Sequence, residues 1–150
     1  MKATTQENIS EWIDLFIFIL ESNGFQKREI AQVFNVTIAS IYRWCDGGGM
    51  RRKSIFIRLC IACVKIKSFD RATICGSDVL RILLNDGRIE YGISPLGDTI
   101  EDFVQKWVKK QPKEKRFIRN LLTKSQGDWE DIFRFLRRNK GIIFNPFEKK

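Results

Sequence analysis

Few residue types in this chain are equipped for covalent chemistry. It contains no histidine, which removes Ser-His, Cys-His and His-metal constellations together. Cys60 and Cys63 lie three apart, but in an apolar stretch and without the further ligands a zinc site needs, so they read as small core residues and no metal is expected. Gly47-Gly48-Gly49 is followed by no Gly-Lys-Ser/Thr and preceded by no strand, so it reads as a helix terminator rather than a phosphate loop. Asp78, Asp86, Glu90, Asp98, Glu101 and Asp102 are accounted for by helix starts and solvated faces better than by a Mg²⁺ nuclease centre. The expectation is a protein that is not an enzyme and uses no cofactor.

The basic residues are the more informative set. The formal net charge of +9 is distributed by segment: −3 over residues 1–24, +7 over 25–71, −1 over 72–111 and +6 over 112–150. Charge concentrated in this way predicts one or two basic faces and an anionic polymer as partner. Within 25–71 lie Lys27, Arg43, Arg51, Arg52 and Lys53. Towards the C-terminus Lys109, Lys110, Lys113, Lys115, Arg116 and Arg119 form one cluster, and Arg134, Arg137, Arg138 and Lys140 another. A solvated helical face is the simplest account of these later clusters, with auxiliary DNA contact or an acidic protein partner as alternatives.

The elements that must position these groups are read from periodicity. Ile9, Trp12, Ile13, Phe16, Ile17 and Leu20 fall at helical spacing, and Gly24 is a natural stop. Leu15, Phe18 and Ile19 broaden the stripe until the second half of that helix is apolar nearly all round, which calls for cover on more than one side. A second helix fits Lys27 to Phe34, with Ile30, Ala31 and Phe34 inward. Thr37 caps a third running to about Cys45, on which Ile41 and Trp44 face inward. A fourth spans about Ser54 to Lys67, and another Ser77 to Asn85. Arg88 to Ile93 alternates weakly, as a short strand or an irregular connection does. Asp98 with Glu101 resembles a capping box for a helix reaching Lys110. Pro112 opens a helix to about Lys124, and Asp128 to Asn139 gives the last, with Gly141 at its end. Phe103, Trp107, Phe117, Leu121, Trp129, Ile132, Phe133 and Leu136 look like the core of a helical hairpin, and Ile142 to Phe147 like an extended arm.

The expected fold is therefore mostly α: an N-terminal domain of four to five helices over residues 1–70, then a small helical C-terminal region over 71–150. The apolar run Leu15 to Leu20 is too short to span a bilayer, and the acidic start lacks the basic end of a signal peptide. A cytoplasmic protein with reduced thiols at Cys45, Cys60, Cys63 and Cys75 is expected, with no membrane partner.

The segment Phe25 to Gly48 is the most specific. Ala31 supplies a small residue where two short helices meet, and Asn35 supplies a turn residue tolerant of positive φ. Val36, Ile41 and Trp44 are the buried anchors of the second of these helices. With them inward, Ile38, Ala39, Tyr42 and Arg43 face outward, an odd set for a helix meant only to meet water. REIAQVFNVTIASIYRWCDGG resembles the helix-turn-helix of the Cro-type (XRE-like) phage-repressor family, and the likeness covers roughly residues 8–70. It also resembles the helix-turn-helix of some transposases. Two positions depart from the repressor pattern: Lys27 where Gln is frequent, and Ile38-Ala39 where polar residues often read bases.

The resemblance implies duplex DNA as partner, with the third helix in the major groove. By carry-over, Arg43 makes a bidentate contact to guanine, Tyr42 reaches a base or phosphate, and Ile38 and Ala39 meet thymine methyls. Lys27, Arg51, Arg52 and Lys53 grip phosphates, while Ala31, Asn35, Val36, Thr37, Ile41 and Trp44 hold the motif together. A sequence-specific transcription regulator of bacterial or phage type, repressor or activator, acting as a homodimer, is the leading expectation. An accessory DNA-binding protein for transposition, recombination or replication is the first alternative. A basic helical adaptor binding protein or RNA, with a protein partner on the C-terminal region, is the second.

Overall fold

A computed structural model describes residues 5–47, 52–66, 80 and 112–143. The fold is mostly α: seven helices and no strand occur among these residues. In chain order they are α1 (Thr5–Ser22), α2 (Lys27–Phe34), α3 (Ile38–Cys45), α4 (Lys53–Lys65), α5 (Pro112–Lys124), α6 (Trp129–Arg138) and the single turn α7 (Lys140–Ile143). The helix expected at Ser77 to Asn85 lies outside the described residues apart from Leu80, as do the one from Asp98 to Lys110 and the segment Arg88 to Ile93. No helix among the described residues is long and apolar enough to cross a membrane.

The architecture follows from α4. Ile55, Phe56, Ile57, Leu59 and every residue from Cys60 to Ile66, Lys65 included, are buried, so this helix is enclosed around most of its circumference. A helix of that kind has to be covered on more than one side. α1 packs along one side of it, and α5 and α7 along another, with α6 reaching both α5 and α1. Phe56 sits at the junction. Its ring meets Phe16 of α1 at 5.2 Å, Trp129 of α6 at 5.1 Å and Phe133 of α6 at 6.2 Å, each edge-on. Burial of such a ring is worth about 1.5–3 kcal/mol, and each aromatic pair about 0.5–1.5 kcal/mol more. Residues from both halves of the chain thus enter one hydrophobic core, Ile9 to Ile66 on one side and Phe117 to Ile143 on the other. Cys60 and Cys63 are fully buried in that core, and Cys63 Sγ donates to Phe16 O at 3.4 Å.

The inward stripe of α1 is as the periodicity predicts, since Ile9, Trp12, Ile13, Phe16, Ile17 and Leu20 are all buried. The expected cover on the remaining sides is incomplete. Leu15 and Ile19 are half-buried, but Phe18 is 65% exposed. At the other end, α6 closes at Asn139 rather than at Gly141. The Asn139 amide donates to Phe135 O at 2.7 Å and its backbone N–H to Leu136 O at 3.0 Å, which uses carbonyls a fraying end leaves open. Gly141 lies inside α7. Ile142 and Ile143, expected in an extended arm, belong to that turn and Ile143 is buried; residues 144–147 lie outside the described ones. The arm fails there because Ile142 N–H finds a local acceptor, Asn139 O at 3.0 Å.

Candidate nucleic-acid interface

The geometry of α2 and α3 is set by two turns and a cap. α1 ends at Gly24, whose φ of +100° suits glycine; Gly24 N–H returns to Glu21 O at 3.0 Å and Phe25 N–H to Leu20 O at 3.0 Å. Phe25 is buried, which fixes the start of α2 against the core. α2 ends at Asn35, the one non-glycine residue with positive φ among those described, at φ 59° and ψ 48°. The Val36 N–H then reaches back to Ala31 O at 2.9 Å, reversing the chain in three residues. Thr37 caps α3: its Oγ1 accepts from Ser40 N at 3.1 Å. Ile30, Ala31, Ile41 and Trp44 are buried, and α3 packs against both α2 and α1; Phe34 is half-buried, edge-on to Trp44 at 6.3 Å. Val36, expected to be a buried anchor, is half-buried. It stands at the rim of the turn, before α3 begins, so only one side of it meets the core.

On the opposite side of α3, Ile38, Ala39, Tyr42 and Arg43 are exposed together. Ile38 at 42% and Tyr42 at 53% are two of the three large apolar side chains that the described residues leave open. Arg43 is held rather than free. Its Nη2 donates to Ser40 Oγ at 3.2 Å, and Ser40 Oγ lies 3.1 Å from Thr37 Oγ1. This short chain of hydroxyls draws the guanidinium towards the N-terminal half of α3. No acidic residue stands in the first turn of α3, so nothing there repels an approaching anion.

The predicted phosphate-gripping residues are not all presented alike. Lys27 opens α2, pairs with Glu21 at 2.9 Å and lies over the Tyr42 ring, 5.0 Å from its centroid. The hydrogen bond that Lys27 donates to Glu21 raises the Lys27 pKa above the ordinary lysine value, outweighing partial burial, so the charge is secure. Arg52 is exposed beside the N-terminus of α4. Lys53 is instead half-buried and donates its ammonium to Gly127 O, in the turn between α5 and α6. Arg51 lies outside the described residues. Of the later basic clusters, Lys113, Lys115, Arg116 and Arg119 line the exposed side of α5, and Arg134, Arg137, Arg138 and Lys140 are exposed on α6 and α7; Lys109 and Lys110 lie outside the described residues.

Ser10, Glu21 and Ser40 take part in this surface without having been singled out in the sequence. Ser10 is buried, and its Oγ lies 3.0 Å from Trp44 O and 2.8 Å from Cys45 O. Those carbonyls end α3 and have no intrahelical donor, so one hydroxyl on α1, sharing its proton between them, ties the end of α3 to α1. A signal for Ser10 was present: it lies on the inward stripe with Ile13 and Ile17, where a polar residue needs a partner. Glu21 is separated from Lys27 by the Gly24 turn, so no helical spacing rule pairs them. Cys45, at the end of α3, is half-buried; burial first, then the nearby Asp14, pushes its thiol up to about 11. It is protonated at neutral pH and offers no nucleophile. Among the described residues no cluster of three metal-ligating side chains occurs.

The chain matches no protein-family model, no curated protein and no solved structure.

Proposed function

We propose that this protein binds duplex DNA sequence-specifically through α3 and regulates transcription in the cytoplasm of a bacterium or a phage-infected cell, acting as a homodimer. One observation carries the reading: the solvent face of α3 presents Ile38, Ala39, Tyr42 and a tethered Arg43, while its other face is buried. An apolar-aromatic surface with a single guanidinium is poorly suited to water. It is well suited to a major groove, where thymine methyls and the guanine O6/N7 pair are the complementary groups. The net charge of +7 over residues 25–71 adds the sequence-independent attraction that duplex binding requires. Dimerisation is inferred because one recognition helix covers about half of an ordinary site.

Selection of bound duplexes from a random library tests this reading. The expected result is two half-sites related by two-fold symmetry, about 10 base pairs apart centre to centre. Each should contain A·T steps beside one essential guanine. Equal affinity for selected and random duplexes would overturn it.

A further inference from the structure

Lys27 is the one cation of the α2–α3 surface that already has an anionic oxygen in hand. Glu21, from the last turn of α1, meets its Nζ at 2.9 Å, a length typical of a charge-assisted hydrogen bond. The Tyr42 ring of α3 lies beneath the same ammonium, 5.0 Å from centroid to Nζ, within the range of a cation–π contact. Three helices therefore converge on one charge: α1 supplies the acid, α2 the base and α3 the ring. None of the three side chains is buried; those of Lys27 and Glu21 are 22% and 39% exposed. The ammonium is therefore accessible to a solvent-borne phosphate.

The location of Lys27 sharpens the point. As the first residue of α2 it sits at the positive end of a helix, where a cation is disfavoured and an acid preferred. Its position is offset by Glu21 and Tyr42 rather than by its own helix. In the neighbouring turns, the anion-attracting features of the surface are left uncompensated: α3 has no acid in its first turn, and Arg43 is held by a neutral hydroxyl. Glu21 is thus the one acid paired with a cation of this surface among the described residues.

We propose that Glu21 occupies, in the free protein, the seat on Lys27 that a backbone phosphate takes in the complex, and so limits affinity for DNA. The inference rests on the duplex-binding reading above. Binding exchanges one oxyanion for another on the same ammonium. The exchange leaves Glu21 without its partner near the phosphate backbone, and this is the source of the limit. Because the contact is to phosphate alone, the limit applies equally to every sequence and lowers non-specific binding as much as specific binding. An exposed pair of this kind is worth less than about 1 kcal/mol, which corresponds to at most about fivefold in affinity.

The test uses the full chain and a mixed-sequence duplex, with affinity read by fluorescence anisotropy from low to moderate salt. Glu21→Gln keeps the shape and removes the charge; Lys27→Met keeps the stem and removes the ammonium. The expected result is about two- to fivefold tighter binding by Glu21→Gln in the wild-type background and no gain in the Lys27→Met background. Lys27→Met alone should weaken binding and reduce the salt slope by about 0.9. A gain of equal size in both backgrounds would mean that Glu21 acts only through net charge, and overturns the proposal. Duplex binding by the wild type with no gain in Glu21→Gln overturns it as well, leaving the DNA reading intact. Failure of the wild type itself to bind any duplex would remove that reading and this proposal together. Thermal unfolding of each variant separates a folding defect from a binding one, since a merely structural pair would change the melting temperature without the background-dependent gain.

Discussion

Helices α3 and α6 are built on the same local plan and finish with opposite surfaces. Each begins at an extended cap whose side-chain oxygen accepts an N3 backbone N–H: Thr37 from Ser40 N at 3.1 Å, Asp128 from Asp131 N at 3.1 Å. Each buries one stripe, Ile41 and Trp44 in α3 and Ile132, Phe133 and Leu136 in α6, and each carries arginine outward. In α6 two of the three arginines are matched within the helix, Arg134 with Asp131 at 3.3 Å and Arg137 with Glu130 at 3.1 Å. Its first turn is acidic, as a solvated helix favours. In α3 the arginine meets only the Ser40 hydroxyl, the first turn carries no acid, and two apolar side chains face water. α6 matches most of its charge within the helix, whereas the one arginine of α3 meets no acid. Net charge does not separate the two helices; what separates them is how much of that charge is already paired.

The comparison presumes that both helices hang on one cooperative core, and the largest expected effect tests that presumption. Phe56→Ala removes a fully buried ring lying between Phe16 of α1 and the Trp129 and Phe133 pair of α6. A loss of about 3–5 kcal/mol is expected in chemical denaturation. Amide exchange in α3 and α6 should accelerate together. Loss of protection in α6 alone would divide the molecule into two folding units.

The next effect in size concerns the arginines themselves. Arg43→Ala should cost about 1–3 kcal/mol against the selected duplex, or roughly 5- to 150-fold in affinity, and much less against random duplex. Arg137→Ala, at one of the two matched arginines of α6, should change neither by as much as twofold. Similar losses from both substitutions would mean that the basic faces bind as a continuous polyanion surface and that α3 is not special.

Much of this plan was legible from residue types alone. Helices α2 and α3 begin and end where Asn35, Thr37 and the apolar spacing of Ile30, Ala31, Ile41 and Trp44 put them, because the cap and the turn are local chemistry. The outward set Ile38, Ala39, Tyr42 and Arg43 followed by elimination, and all four are exposed. What stayed hidden depends on tertiary approach. Ser10 reaches α3 across a sequence separation of 34, and Lys53 reaches Gly127 across 74. The inward stripe of α1 shows that Ser10 needs a partner, but no periodicity names the partner of either residue. The exposure of Phe18 was also illegible, since an apolar residue in an apolar stretch gives no sign of which side its neighbours will leave uncovered.

A smaller effect separates the two ends of α3 from those of α6. Thr37→Ala and Asp128→Ala each remove a capping acceptor and should each cost about 1 kcal/mol of stability. Ser10→Ala should cost a similar amount, because it leaves the terminal carbonyls of α3 without their donor. The three should diverge in binding. Thr37→Ala and Ser10→Ala alter the start and the tied end of α3, so they should weaken discrimination between selected and random duplex at temperatures where every variant is folded. Asp128→Ala should leave discrimination unchanged. Equal behaviour of all three would remove the distinction between the helices at their termini.

The smallest expected effect bears most directly on the pairing within α6. Glu130→Gln deletes the partner of Arg137 and one acid from the first turn of α6. Both losses concern exposed groups, so the change in stability should stay below about 1 kcal/mol and shrink further as salt is raised. Its consequence for binding is the sharper reading. If pairing is what keeps α6 from binding polyanions, freeing Arg137 should raise affinity for random duplex at low salt while leaving the preference for selected duplex unaltered. That gain should disappear in the Glu130→Gln, Arg137→Ala double variant, because the released guanidinium is its only source. A gain surviving the second substitution would assign the effect to net charge. Pairing would then cease to distinguish the two helices, and the exposed Ile38 and Tyr42 of α3 would have to carry the difference alone.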